Sequence, residues 1–443
     1  MSWQKIKLKE VLKQYRVQHI VQDNIEYKQV TISKYDGVTF RGTKIGKDIG
    51  RKRQFIIDLK SYPHTLMLVR QGVQDGSIGI APLEVDGCIA TENMPMFSIE
   101  GIDLEYLRFL LKSPYFYDEL SKIETTGSAQ KSIHERQILE IEIPLPNLEE
   151  QKQFVRELTK LKNEGLEISS ELSHQLSLIK QLRSAFLREA MQGKLLKSTN
   201  TKETGQQLLA KIKAEKAQLI AEKKRKKEKE LPPISEEEIP FEIPEHWAWC
   251  RLGEICTKVT DGFHNTPKKL LEGKLYISAT HIKDTGIKWD ECLYVGEKDH
   301  LELYKKANPK KGEILITNRG AGCGTPAIID IDEEFSFQNT ALIGFNQSMI
   351  NNKYVYNFIL KSRDEIMAKF VNGGLQPMLS NVILKTVPFP LPPIHEQEQI
   401  VAKLEELMAF CDGLEQSIKE SQGYNEKLLQ EVLREALQPQ TQV

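Results

Sequence analysis

No apolar run in the 443-residue chain reaches membrane-spanning length, and the opening stretch MSWQKIKLKEVLKQYR lacks the apolar core of a secretory signal. A cytoplasmic protein with no membrane partner is expected. Cysteine is scarce: Cys88, Cys250, Cys256, Cys292, Cys323 and Cys411 are scattered, and no two form a C-x2-C pair. That spacing indicates neither a zinc site nor a disulfide framework, so reduced thiols are the simplest reading. Charge of one sign is also missing. The net charge is −1, so any surface for nucleic acid must be local. There is no nucleophile elbow, no H-E-x-x-H, no dinucleotide fingerprint leading from a strand, and no N-P-P-Y-like segment of the amino methyltransferases. The glycine-rich stretches QGVQDGSIG and NRGAGCG do not fit G-x-x-x-x-G-K-[ST]. They are expected to be tight turns at strand ends. These absences together argue for a binding protein without catalytic residues, metal site or cofactor of its own.

What the chain does contain is a repeat. With 40% hydrophobic and 28% charged residues, it is a globular protein long enough for two or more domains. Sliding the sequence by 246 residues brings PLPNLEEQKQFVRELTKL (144–161) onto PLPPIHEQEQIVAKLEEL (390–407), and LREAMQ (187–192) onto LREALQ (433–438). Upstream, Gly127 and Gln130 meet Gly373 and Gln376, and Ile133, Ile138 and Ile141 meet Leu379, Leu384 and Val387. Asn93 falls on Asn339. Near the two starts, Trp3, Leu8 and Glu10 match Trp247, Leu252 and Glu254 at a slightly different shift. The order is globular unit, helix, globular unit, helix.

Proline before each helix forces an extended entry, and the acids Glu149 and Glu150, or Glu396 and Glu398, sit in a first turn where negative charge suits the dipole. Apolar residues then recur in alternating steps of four and three, the coiled-coil spacing. One seam holds Phe154, Leu158, Leu161, Gly165, Ile168, Leu172, Gln175, Ile179, Leu182 and Phe186. The other holds Ile400, Leu404, Leu407, Cys411, Leu414, Ile418, Ser421, Asn425, Leu428 and Val432. Each helix should span roughly 65 Å at about 1.5 Å per residue. Two such helices most economically pair antiparallel, as a spacer between two heads. Two surface helices, each packed on its own domain, are the alternative. The polar seam positions Gln175, Ser421 and Asn425 either fix the register or face water.

Between the halves, LLAKIKAEKAQLIAEKKRKKEKE (208–230) begins as a helix and becomes strongly basic. It reads either as a solvated helix or as a contact to phosphates or a partner. LPPISEEEIPFEIPEHW (231–247) reads as a proline-rich acidic linker. Both heads read as mixed α and β. Strands are expected at QFIIDL (54–59), TLMLV (65–69), KLYIS (274–278) and EILIT (313–317), and helices over 104–112 and 353–361.

Basic residues cluster locally. The first sixty residues hold fourteen Lys or Arg against six Asp or Glu, most densely in RGTKIGKDIGRKR (41–53). Arg41, Lys44, Lys47, Arg51, Lys52 and Arg53 are therefore candidate DNA-binding residues, with glycines that let the backbone approach a ligand. A solvated loop is the plainer reading. In the second head, DGFHNTPKK, SATHIK and TNRG supply His264, Asn265, Thr266, Lys268, His281, Asn318 and Arg319, side chains of the kind that hydrogen-bond base edges. The two histidines have no visible partner set for a metal, and either could be an ordinary surface residue.

PLPPIHEQEQIVAKL with its copy PLPNLEEQKQFVREL, the block FEIPEHWAWCRLGEI, DGFHNTPK, and GGLQPMLSNVILKTVPFPLP with its counterpart GSAQKSIHERQILEIEIPLP make the chain resemble a type I restriction-modification specificity subunit. The resemblance covers essentially the whole chain. The first head departs from it most, lacking both a full W-x-x-x-x-LGEI block and a D-G-x-H-x-T-P segment. The resemblance implies an α+β protein with a target-recognition domain at 1–146, a helical region at 147–197, the basic helix and acidic linker at 198–246, a second recognition domain at 247–392 and a second helical region at 393–443. It further implies that each recognition domain reads half of a split duplex DNA target. Modification subunits and a restriction/translocase subunit would be the partners, and these would carry the S-adenosylmethionine, ATP and Mg. Two other readings stay open: a two-headed coiled-coil scaffold that binds proteins, separable by salt-dependent DNA binding, and an enzyme with an unrecognised site, separable by methyl transfer from the isolated chain.

Overall fold

The structure is a computed structural model. It describes residues 3–123, 132–196, 203–223, 229–263, 265–320, 322–370 and 378–437. The repeat matches at Gly127, Gln130, Gly373, Gln376 and Gln438 lie outside these residues. The chain divides into two compact units, Met1–Gln175 with Ile418–Val443, and Leu176–Ser417.

In chain order, the first unit contains β1 (Lys5–Lys7), β2 (Leu12–Tyr15), β3 (Gln18–Ile20), β4 (Glu26–Ser33), β5 (Gly37–Ile45), β6 (Arg53–Ile56), β7 (Thr65–Leu68), β8 (Ile78–Ile80), β9 (Ile89–Ala90) and β10 (Met96–Ile99). Helices α1 (Leu104–Leu111), α2 (Pro114–Ser121) and α3 (Glu135–Leu139), strand β11 (Glu142–Pro144) and the first part of α4 (Leu148–Met191) follow. The Asp103 carboxylate accepts the Glu105 and Tyr106 N–H groups to start α1, and Ser113 with Pro114 starts α2. An antiparallel sheet in the order β2-β10-β7-β8 carries Leu66, Leu68 and Phe97 into a core with Leu107, Leu110 and Phe116 from the helices. A five-stranded sheet, β3-β6-β9-β4-β5, packs over a second cluster that contains Val30, Ile32, Val38 and Ile57.

The second unit contains the rest of α4, then α5 (Gly205–Ala221), β12 (Ala248–Arg251), α6 (Leu252–Ile255), β13 (Lys258–Asp261), β14 (Lys269–Leu270), β15 (Lys274–Ser278), β16 (Ile282–Lys283), β17 (Gly286–Ile287) and β18 (Leu293–Val295). It continues through α7 (Glu297–Ala307), β19 (Ile314–Thr317), β20 (Pro326–Ile328), β21 (Phe335–Gln338), β22 (Thr340–Gly344), α8 (Asn352–Phe370), α9 (Asn381–Thr386), β23 (Pro388–Leu391) and the first part of α10 (Ile394–Leu437). Its sheet β13-β22-β19-β20 repeats the order β2-β10-β7-β8, and the pair β12-β23 repeats β1-β11. The remaining strands differ. Here a mixed sheet, β14-β18-β15-β21, with β15 parallel to β21, stands where the first unit has its five-stranded one. The two units thus share a frame and differ in what is inserted into it.

Helices α4 and α10 are both 44 residues long and begin 246 residues apart. Their starts are built alike. Buried Gln151 accepts the Asp103 N–H (2.7 Å) and donates to the Pro146 carbonyl (2.8 Å). Buried Gln397 accepts the Asn351 N–H (2.9 Å) and donates to the Pro392 carbonyl (3.0 Å). Tyr106 and Tyr354 donate to the Pro144 and Pro390 carbonyls, and Trp3 and Trp247 meet those tyrosine rings edge-on.

Within each unit the two helix segments run antiparallel. In the first, Phe154 and Leu158 share a core with Leu433 and Leu437, while Asn425 donates to the Gly165 carbonyl (2.8 Å). In the second, Leu187, Ala190 and Met191 pack with Ile400, Val401 and Leu404, and Arg183 reaches Asp412 (2.6 Å) and Glu415 (3.1 Å). The seam is not uniform. Phe154, Leu158, Ile400 and Leu404 are buried, and Leu161, Leu172, Leu407 and Ile418 are half-buried. Ile168 (47%), Leu414 (38%) and Leu428 (54%), expected in the seam, are exposed. Beside Ile168 the seam contains Gly165 and the polar Asn425, which leave a pocket there, whereas Ile179 (6%) and Cys411 (0%), also far from a helix start, are buried.

The segment read as a linker is fixed to the second unit. Arg251, 3% exposed, donates to the Pro232 (2.9 Å), Pro233 (2.7 Å) and Thr386 (2.6 Å) carbonyls and to both Glu238 oxygens (2.8 and 2.9 Å). That hydrogen bonding holds the Glu238 carboxyl down at about 2. Helix α5 buries Leu208, Leu209 and Ile212 in the same core, and its Lys216 donates to the carbonyls of Gly253 and Glu254. The start of the basic segment is therefore packed. Residues 224–228 lie outside the described residues.

Candidate nucleic-acid interface

The first-unit candidates sit on one stretch of backbone. Arg41 and Lys44 lie on β5, Lys47 on the turn after it, Arg51 and Lys52 in the following loop, and Arg53 at the start of β6; all six are exposed. They are not equivalent. Lys52 is tied to the Gly46 carbonyl (2.7 Å) and pairs with Asp23, which closes the loop on itself, and Arg51 lies 3.9 Å from Glu92. Arg41, Lys44, Lys47 and Arg53 have no ion pair among the described residues.

In the second unit, Asn265, Thr266 and Lys268 are exposed on the loop between β13 and β14. Thr266 accepts from Gln338 (3.2 Å), whose oxygen in turn accepts from Tyr276 (2.6 Å), so the loop is anchored to β21. His264 lies outside the described residues. His281 is 6% exposed. Its Nδ1 accepts the Ser278 N–H (3.1 Å), and its Nε2 sits 3.0 Å from the Glu291 carbonyl. Both nitrogens are engaged inside the fold, which removes His281 from the outward-facing set. A histidine three residues after a serine at a strand end fits that cap as well as it fits a base contact.

Asn318 and Arg319 follow β19 and line a cleft of about 200 Å³ with Asp261, Asn339 and Asn381. The backbone of Asn318 is held on both sides, its N–H by the Asn339 carbonyl (3.1 Å) and its carbonyl by the Leu379 N–H (3.0 Å), and its side-chain amide donates to Asp261 (3.2 Å). The first unit has the same backbone arrangement around Arg70: its N–H meets the Asn93 carbonyl (3.1 Å) and its carbonyl the Ile133 N–H (3.0 Å). Glu135, the first residue of α3, stands where Asn381 opens α9. In the first unit this place is filled by a salt bridge. Arg70 Nε meets Glu135 at 3.1 Å, its Nη2 also binds that carboxylate, and Gln14 (3.2 Å) and Arg16 (3.4 Å) complete the set. Burial pushes the Glu135 carboxyl up, the Arg70 hydrogen bond pulls it down, and the net position is below the ordinary value.

One position in a shared frame is thus closed by an ion pair in one unit and left as a polar cleft in the other. Sequence reasoning offered Asn318 and Arg319 as candidates and did not single out Asn381, Arg70 or Glu135; Asp261 opens the DGFHNTPKK stretch but was not among its candidates. The 246-residue shift that lays Glu135 on Asn381 was the available signal. Hydrogen-bond recognition is the chemistry this surface offers. No group of three or more metal-ligating side chains occurs among the described residues, and no helix there is long and apolar enough to cross a membrane.

Comparison with known proteins agrees with the duplication. The EcoAI specificity subunit of a type I restriction enzyme from Escherichia coli is 31% identical over 280 residues, 58% of this chain and 44% of that one. The EcoEI specificity subunit from the same organism is 23% identical over 422 residues, 82% of this chain and 68% of that one. The chain therefore spans less than half the length of the first relative and about two thirds of the second. Among solved structures, a chain from a study of complex assembly and conformational transition in the type I restriction-modification system aligns with a TM-score of 0.62 at 17% identity, over 98% of this chain and 97% of that one. The HsdS subunit from Thermoanaerobacter tengcongensis aligns at 0.54 and 16% identity, over 98% and 96%. These two likenesses show the fold. The description "Type I restriction modification DNA specificity domain" matches twice, at residues 2–178 and 244–421, once for each repeat, and the chain belongs to that family.

Proposed function

We propose that the chain is the DNA-recognition subunit of a type I restriction-modification complex, each unit reading one half of a bipartite duplex target. The observation that carries this reading is the shared frame with unlike surfaces. The sheet order, helix starts and buried Gln clamps repeat, whereas the inserted strands and the side chains at matching outward places differ. Two readers of two different half-sequences need that combination. The chain supplies no catalysis. Adenine methylation would belong to modification subunits that use S-adenosylmethionine, and ATP- and Mg-dependent translocation and cleavage to a restriction subunit. The test is methylome sequencing of a strain that carries this chain with its modification partner. A split target, two fixed half-sequences around an unspecified gap, supports the proposal. Methyl transfer by the isolated chain, or binding to duplex DNA that does not respond to salt, counts against it.

A further inference from the structure

The β4–β5 hairpin carries an irregularity that sorts its side chains. Val30 lies opposite Phe40, but Gln29 lies opposite Gly42, so Arg41 is an extra residue in β5, a β-bulge. Gly42 has φ +128°, a conformation open to glycine and strained for other residues. Side chains alternate along a strand, so Tyr27, Gln29 and Thr31 share one face of β4. Their cross-strand partners Lys44, Gly42 and Thr39 share that face. Gly42 has no side chain, and Arg41 takes the place beside it opposite Gln29. Arg41 and Lys44 are three residues apart and in a regular strand would point to opposite faces. The bulge puts them on one.

On the resulting face Arg41 and Lys44 are exposed and Gln29, Thr31 and Thr39 half-buried, Tyr27 at its end is buried with Val21, Ile49 and Ile89, and none of these side chains is a carboxylate. On the other face, Val30, Ile32 and Val38 enter the core, the exposed Glu26 carboxylate accepts from Thr43, and Lys28 is exposed. Strand β5 is the edge of its sheet, with no strand paired beyond it among the described residues. Charge on an edge strand also discourages strand addition, but that role does not require a bulge that brings both cations of β5, Arg41 and Lys44, to one face. The B-DNA major groove, about 12 Å wide, admits a two-stranded ribbon, and an arginine fork matches O6 and N7 of guanine.

We propose that this hairpin face is the surface with which the first unit reads its half of the target, entering the major groove with Arg41 on a guanine, while Lys44, Lys47 and Arg53 hold phosphates. The proposal rests on the DNA-reading function above. It also explains how the first unit can read DNA although the place matching the second unit's polar cleft is closed by Arg70 and Glu135.

The test uses the full complex with its modification subunits and a library of duplexes randomised in both half-targets. Arg41→Lys keeps the charge at an exposed position and loses the planar fork, so folding and affinity for duplexes without the target should hold. Preference for guanine at one position of one half-target should fall about ten- to a hundredfold. Arg41→Ala should show the same loss, and the other half-target should be unchanged in both. Wild-type preference at every position in Arg41→Lys, or a loss in Arg41→Ala that is uniform across all sequences, would overturn the assignment of the hairpin. A wild-type complex without any sequence preference would overturn the DNA-reading function itself, which keeps the two failures distinct.

Discussion

The side chain of Gln397 joins the start of α10 to the second unit by accepting the backbone N–H of Asn351, 46 residues earlier, at 2.9 Å. Gln151 does the same for Asp103 in the first unit. Each amide group also satisfies a proline carbonyl just before its helix, so one side chain fixes both the entry angle and the docking of a 44-residue helix. A proline supplies no N–H and forces an extended entry, which leaves its carbonyl in need of a donor. This is why the proline-led start and the glutamine recur together.

Replacing Gln397 with Leu should leave the part-buried Asn351 N–H and the buried Pro392 carbonyl without this partner and lower the stability of the second unit by about 1–3 kcal/mol. Gln151→Leu should do the same to the first unit. Denaturant unfolding followed by hydrogen exchange would localise each loss, and an effect spread equally over both units would count against the clamp.

The uneven seam gives a paired contrast. Leu404 is buried in the second-unit core, so Leu404→Asp should cost on the order of 3 kcal/mol or more. Leu414 is 38% exposed, and Leu414→Asp should cost under about 1 kcal/mol. Thermal melts of the two variants check this directly; equal destabilisation would mean that the seam is closed along its whole length.

The Arg251–Glu238 pair predicts an acid-sensitive step. The folded Glu238 carboxyl is lowered from an ordinary 4.5 to about 2 by its hydrogen bond from Arg251. A depressed carboxylate stabilises the fold above its unfolded value, and that contribution is lost as pH falls through the folded one. Docking of the 231–247 segment should hold at pH 5 and weaken between about pH 4.5 and pH 2. Glu238→Gln should flatten that dependence. Limited proteolysis within the segment across this range is the readout, with no change in cleavage as the contrary result.

Positioning and reading should separate on DNA. Arg53→Ala removes an exposed cation that has no ion pair among the described residues and should weaken binding to all duplexes alike, flattening the salt dependence by about 0.9 log units per lost phosphate contact. Arg319→Ala, at the rim of the second-unit cleft, should instead relax one half of the target by about 1–3 kcal/mol. Binding isotherms at several salt concentrations distinguish the two.

Those assignments differ in how far the sequence alone supports them. The helix starts and lengths were legible because proline, acid and a heptad act locally, and because the 246-residue shift placed both copies in register. The strands at 65–68, 274–278 and 314–317 were legible from short apolar runs, whereas α8 runs on to Phe370, beyond the expected 361. Tertiary contacts carried the rest. The 231–247 segment has the composition of a free linker, yet one buried arginine from β12 binds it. His281 belonged to a polar run and is consumed by its own turn. The bulge at Arg41 depends on which residues of β4 lie across the ladder, and RGTKIG by itself does not tell a loop from a strand.

The central claim is that the two units read DNA independently, each taking one half of a split target. Methylome sequencing of strains that carry the modification subunits with either the wild-type chain or the Arg319→Ala chain tests it most directly. The account predicts a bipartite target for the wild type, and for Arg319→Ala a degenerate position in one half with the other half and the gap unchanged. A contiguous target, or a substitution in the second unit that alters both halves, would contradict it.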